Sequence, residues 1–178
     1  MASPLPPAGG PTSGNGEVPA AGLRQVHNAI QHRSEGARAE RAESRARSSD
    51  SRLSSEAARL PIQEIVTFLM QQFGKPTTAY IGGVSDPKMV THWMAGTNTP
   101  RAAPRMRLRE AYQAARLIAD AVGVDTAKSW LFCSNASLSD RAPAHVLRTA
   151  ATWEDLREIV PAARAFVRDA TRPSLDVA

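Results

Sequence analysis

Between Lys75 and Arg109 the chain carries six basic residues, Lys75, Lys88, Arg101, Arg105, Arg107 and Arg109, against one acid, Asp86. The excess of +5 equals the net charge of all 178 residues, so charge elsewhere cancels. Ser85, Thr91 and His92 are interleaved with these cations and can donate or accept hydrogen bonds. Guanidinium and ammonium groups suit phosphates, whereas hydroxyls, imidazole and lysine can meet base edges. Arg105, Arg107 and Arg109 also crowd the opening turns of an expected helix, where the macrodipole disfavours cations. A local rule broken three times predicts an anionic partner for that fringe. The residues assigned to nucleic acid are therefore Ser85, Lys88, Thr91, His92, Arg101, Arg105, Arg107 and Arg109.

Other chemistries find no support in the residue pattern. There is no Ser–His–Asp spacing, no phosphate-cradling Gly-rich loop and no catalytic Glu motif. His27, His32 and His145 are too dispersed to share a metal. The single cysteine, Cys133, excludes an internal disulfide and a Cys-rich metal site. Its place in Trp130-Leu131-Phe132-Cys133 predicts an inert, buried thiol. We assign no catalytic residue, no metal and no cofactor, and expect a protein that is not an enzyme. No apolar run reaches the roughly 18–20 residues needed to cross a bilayer. The N-terminus lacks the basic-then-apolar layout of a signal peptide, which gives the expectation of a cytoplasmic protein without membrane contact.

The elements that must carry the basic residues are legible in the spacing of apolar ones. Ile62, Ile65, Val66, Leu69 and Phe73 recur at three and four, which predicts a helix stopped by Gly74. Pro76 opens a short helix with Thr78, Ala79, Tyr80 and Ile81, ended by Gly82-Gly83. Ser85 or Asp86 then caps a helix with Met89, Val90 and Trp93 inward, and Gly96 ends it. Short helix, glycine turn and second helix spell a helix-turn-helix, whose second helix enters the DNA major groove. Motifs of this kind commonly read two-fold operators, so a homodimer is expected.

Pro104 starts a longer helix with Leu108, Ala111, Tyr112, Ala115, Ile118, Ala119 and Val122 on one face, closed by Gly123. Thr126 is read as the cap of a turn carrying Trp130, Leu131 and Phe132, with Trp130 and Leu131 seeding the core of the module. Thr152 and Asp155 read as a capping box for a last helix with Leu156, Ile159, Val160, Ala163, Phe166 and Val167 inward. Pro161 should kink or split it. No β alternation is present, so the expected fold is all-α. By contrast, residues 1–22 hold ten Pro or Gly, and Gln31 to Arg52 hold no Val, Ile, Leu, Met or aromatic residue. Such stretches bury too little apolar area to offset their ordering entropy. The expected organisation is a disordered or loosely helical arm over 1–58, a helix-turn-helix domain over 59–123, a helical module over 124–172 and a short tail over 173–178.

Tyr80-Ile81-Gly82-Gly83-Val84, Val90-Thr91-His92-Trp93, Trp130-Leu131-Phe132 followed by Asn135 and Leu138, and Ala163-Arg164-Ala165-Phe166 stand in an informative order. With them, residues 60–170 resemble the Xre/MbcA/ParS class of antitoxins. The resemblance implies an N-terminal helix-turn-helix that represses the shared operon and a C-terminal domain that occludes a RES-domain toxin, a destroyer of NAD. NAD would then belong to the partner. Carried onto this chain, it implies a toxin-binding surface at Trp130, Asn135, Leu138, Arg164 and Phe166. Two alternatives stand beside it: a stand-alone transcription regulator, and a protein adaptor that does not bind DNA and uses the N-terminal arm as a docking tail.

Overall fold

The structure is a computed structural model that describes residues 36–38, 40–41, 44–45, 47–49 and 51–172. Most of the expected arm and all of the 173–178 tail lie outside the described residues. The described positions between 36 and 49 are helical. A compact unit begins at Arg47, ahead of the expected boundary at 58. Its first element, α1 (residues 51–59), buries Ala57 against the rest of the unit.

The elements then follow as α2 (Ile62–Phe73), α3 (Lys75–Gly82), α4 (Lys88–Met94), α5 (Ala102–Val122), α6 (Val124–Phe132), α7 (Pro143–Thr149) and α8 (Ile159–Ala170). Single 3₁₀ turns occupy Ala136–Leu138 and Glu154–Leu156. The fold is all-α: among the described residues there is no strand, only an isolated bridge between Asn135 and Arg141. No described helix is long and apolar enough to cross a membrane.

α5 is the spine. Leu108, Ala111, Ala114, Ala115 and Ile118 give it apolar surface on more than one side, and α2, α3, α6, α7 and α8 all pack on it. The small alanines let α8 approach closely with Ile159, Ala162 and Ala163 buried. The expected domains 59–123 and 124–172 consequently share one core and are not separate bodies.

Several local expectations shift, each for a stated reason. α5 starts at Ala102, two residues ahead of Pro104, because proline is tolerated in a first turn where its N–H has no helical partner. α6 starts directly after Gly123, whose φ of 95° sets the break between helices. Thr126 is therefore inside α6, its hydroxyl donating to the Val122 carbonyl at 3.1 Å. Asp155 does reach back to the Thr152 N–H at 2.9 Å, but the pair closes a 3₁₀ turn and does not open the last helix. Pro161 explains why: it splits the apolar pattern, and α8 begins two residues before it. Cys133 is exposed and not buried, since α6 ends at Phe132 and the next residue turns outward.

Candidate functional site

The motif expected to meet DNA is built by α3, a five-residue turn and α4, mounted on α2 and α5. α3 ends in Gly83 with φ of 75°, a left-handed conformation that glycine adopts without steric cost. At the entrance to α4 the Lys88 N–H donates to Asp86 Oδ1 at 2.8 Å, so Asp86 supplies the cap. Val90 and Trp93 are buried, and Trp93 is only 2 % exposed. A Cβ on Gly82 would lie 3.1 Å from the Trp93 ring, so the indole is seated directly on α3 backbone. That contact fixes how α4 sits on α3.

Burying Val90 and Trp93 turns the opposite side of α4 outward. Ser85, Lys88, Thr91 and His92 are all exposed. His92 Nδ1 lies 3.2 Å from Thr97 Oγ1, which ties its ring to the loop after α4. Arg101 is exposed at the N-terminal boundary of α5. Arg105 is exposed one turn on, with Nη2 donating to the Pro100 carbonyl at 3.2 Å. These six residues have their polar ends at the surface.

The other two arginines of the fringe do something different. Arg107 donates from Nε and Nη2 to the Ala150 carbonyl at 2.8 and 2.6 Å, and from Nη1 to the Gly82 carbonyl at 3.3 Å. Arg109 donates from Nη1 to the Ala57 carbonyl and from Nη2 to the Leu60 carbonyl at 3.1 Å. Those four carbonyls stand at the C-terminal ends of α7, α3 and α1, where helices leave acceptors without intrahelical partners and carry partial negative charge. The cations that the α5 macrodipole disfavours are thus matched by the negative ends of three neighbouring helices. Burial and, for Arg107, the nearby Arg148 charge hold both guanidinium pKa values below their ordinary range. Two residues apart on one helix, Arg107 and Arg109 also point to different neighbours, so the fringe is divided.

A second arginine joins the two halves of the chain at the same place. Arg148 donates from Nη1 to the Tyr80 carbonyl at 3.1 Å, and its guanidinium carbon lies 4.6 Å from the Tyr80 ring centroid. Tyr80 is on the surface of α3 beneath that cation.

The residues expected to face a toxin divide as well. Trp130 is 4 % exposed and Leu138 is 3 % exposed, so both are interior. Their side chains hold the module together: the Trp130 and Phe166 rings lie 6.5 Å apart, bridging α6 and α8. Asn135 shapes the connection, its side-chain oxygen accepting from the Ser137 N–H at 2.9 Å. Asn135, Arg164 and Phe166 are partly exposed. Two large aromatic residues are more open: Phe132, quoted in the Trp130-Leu131-Phe132 motif, at 52 %, and Trp153, which the pattern reading did not single out, at 55 %. Helical spacing places Phe132 off the face defined by Ala127, Trp130 and Leu131, a signal the sequence does contain. Trp153 sits in a 3₁₀ connection and carries no such periodic signal.

One buried ionisable group also escaped the sequence reading. Glu110 is 8 % exposed on α5 and accepts the Val160 backbone N–H in the first turn of α8. α8 has no cap from its own N-cap side chain, so Glu110 supplies that acceptor from across the core. Burial pushes its carboxyl up to about 7, against the opposing pull of Arg164 and of the Val160 bond. Among the described residues no group of His, Cys, Asp and Glu gathers as a metal site. Comparison with protein families, with curated proteins and with solved structures returns no match to this chain.

Proposed function

We propose that this chain is a DNA-binding antitoxin: α4 reads an operator, and the C-terminal half docks and occludes a RES-domain toxin. The observation that carries the DNA half is the rigid seating of α4. Trp93 lies on Gly82 while Lys88, Thr91 and His92 remain exposed on the other side. A helix held that way presents these positions to a groove without a further cost of ordering its backbone at each encounter. In this reading Arg101 and Arg105 contact phosphates, and Arg107 and Arg109 hold the scaffold. The toxin half is supported by the resemblance of residues 60–170 and by the partly exposed Asn135, Arg164 and Phe166. The protein acts as a homodimer on a two-fold site, in the cytoplasm, without cofactor or catalytic step.

One specific observation favours a second reading. Because Arg107 and Arg109 bond carbonyls of their own chain, the cationic excess offered to DNA is smaller than the sequence count. A protein adaptor without DNA affinity needs no more charge than that. Binding to the DNA upstream of the gene, followed across salt, separates the two. A duplex binder making about four phosphate contacts should lose on the order of a hundredfold in affinity between 50 and 200 mM salt. Absence of binding at low salt rejects the repressor. Co-expression with the adjacent gene product tests the toxin half: no complex and no rescue of growth reject it.

A further inference from the structure

We propose that the cleft between the start of α5 and the 151–153 connection binds a nucleoside monophosphate, with Arg105 on the phosphate and the Trp153 indole under the base. This site lies apart from α4 but shares Arg105 with the surface proposed to meet DNA phosphates, and the inference goes beyond the DNA-binding reading.

The cleft has a volume of about 440 Å³, inside the roughly 300–1,000 Å³ range of small-molecule sites. Ala102, Arg105 and Arg109 line one wall, and Thr152 and Trp153 line the other. Of the three tryptophans, Trp93 and Trp130 are buried in the core, and Trp153 alone offers its ring to solvent. An indole half in water beside a concave wall is a stacking platform that every base can use.

The opposite wall is cationic and lacks a carboxylate to balance it. Arg105 and Arg109 are close enough to repel, and that repulsion adds to burial in depressing Arg109. Nearby acids have partners of their own. Asp155 accepts from the Ala151 and Thr152 N–H groups at 2.8 and 2.9 Å. Glu154 pairs with Arg157 at 3.6 Å. Glu110 accepts from Val160 on the far side of α5. α5 itself has no acid in its first turn. An anion entering the cleft meets two positive charges, and no carboxylate is among the residues that line it. Arg109, anchored by two carbonyls, supplies fixed charge, whereas exposed Arg105 supplies the donors. A phosphate joined to a flat aromatic ring fits both walls at once. Phosphate alone leaves the indole unused, and a nucleoside alone leaves the arginines unmatched.

Isothermal titration of AMP into the full chain at low salt tests the assignment. The expected result is saturable binding that Trp153→Leu and Arg105→Ala each weaken by about tenfold or more, with the melting temperature unchanged because both residues are exposed. Lys88→Ala should leave AMP binding intact, which separates this site from the α4 surface and keeps it testable if DNA binding fails. A 5′-phosphorylated single strand that competes with AMP identifies a strand end as the source of the nucleotide. A strand that does not compete identifies the free nucleotide. No saturable binding of AMP at millimolar concentration overturns the proposal. So does AMP binding that both variants retain, or inorganic phosphate binding as tightly as AMP.

Discussion

Arg107 donates twice to the Ala150 carbonyl, at 2.8 and 2.6 Å, and so fastens the second turn of α5 to the end of α7, 43 residues later. Its third bond, to the Gly82 carbonyl, brings the end of α3 into the same clasp. One side chain thereby connects the helix-turn-helix to the C-terminal half. A charged donor reaching C-terminal helix carbonyls gains both a hydrogen bond and a favourable dipole term.

Removal of this clasp should register as lost stability. Hydrogen bonds from charged groups contribute about 1.5–3 kcal/mol. Arg107→Met keeps part of the aliphatic packing and loses all three bonds. Chemical denaturation should show a loss of about 2–3 kcal/mol, with Arg107→Lys recovering only part because a single ammonium lacks the planar fork. Arg105→Ala, by comparison, should change stability by about 0.5 kcal/mol or less. Equal stability in the Arg107 and Arg105 variants would refute the division between scaffold and surface arginines.

The turn glycine depends on the same clasp. Gly83 sits at φ of 75°, and a Cβ there would collide with the Arg107 guanidinium. Gly83→Ala therefore meets two costs: the left-handed backbone, about 1–2 kcal/mol, and displacement of Arg107. In the double variant Gly83→Ala/Arg107→Met the second cost is counted only once. The two losses should fall short of additivity by about 0.5 kcal/mol or more in a double-mutant cycle. Strict additivity would show that glycine and arginine act independently.

Most of the helices were legible because apolar spacing and glycine punctuation agree. Ile62 to Phe73 and the Gly82-Gly83 stop are cases where local propensity and tertiary packing point the same way. Misreadings arose where long-range partners decide. Nothing near Arg107 or Arg109 in sequence announces that their acceptors are Ala150, Gly82, Ala57 and Leu60. Within a window of a dozen residues those arginines look like an unpaired basic fringe. Trp130 and Leu138 illustrate the converse: the resemblance marks both as partner-facing, yet both are core, as the apolar reading of Trp130 expects, because a short helical module has few other large side chains to fill it. The sequence puts Ala57 in a disordered or loosely helical arm since α1 has few apolar residues, yet Arg109 and the Tyr112 hydroxyl, which donates to Glu56 Oε1 at 2.8 Å, hold the helix on the body.

Glu110 gives the fold a pH dependence with a definite sign. Its carboxyl titrates near 7 in the folded chain, above the roughly 4.3 of an unfolded glutamate. Between those values the folded state keeps a proton that the unfolded state has released. Stability from this group is fully present below about pH 4.3 and is lost as pH rises toward about 7, up to about 3 kcal/mol in total. Glu110→Gln stays neutral and can still accept the Val160 N–H. Denaturation midpoints of the variant should therefore be flatter than those of the parent between about pH 5 and 7. Parallel profiles for the two chains would show that the carboxyl is ionised throughout.

The α4 surface and the start of α5 should contribute differently to DNA recognition. Lys88 and Thr91 project from the helix that the Trp93–Gly82 contact holds in place, so under the proposed DNA-binding reading truncating either removes a contact that depends on sequence. Lys88→Ala or Thr91→Ala should weaken operator binding by about 1–3 kcal/mol and affect random duplex much less. Arg105→Ala should weaken both duplexes similarly and lower the salt slope by about 0.9, as loss of one phosphate contact requires. Arg107→Met should leave that slope unchanged, because its guanidinium already faces carbonyls of its own chain. A slope that drops for Arg107 as it does for Arg105 would mean that the clasp opens on DNA, and the scaffold role assigned to Arg107 would fail.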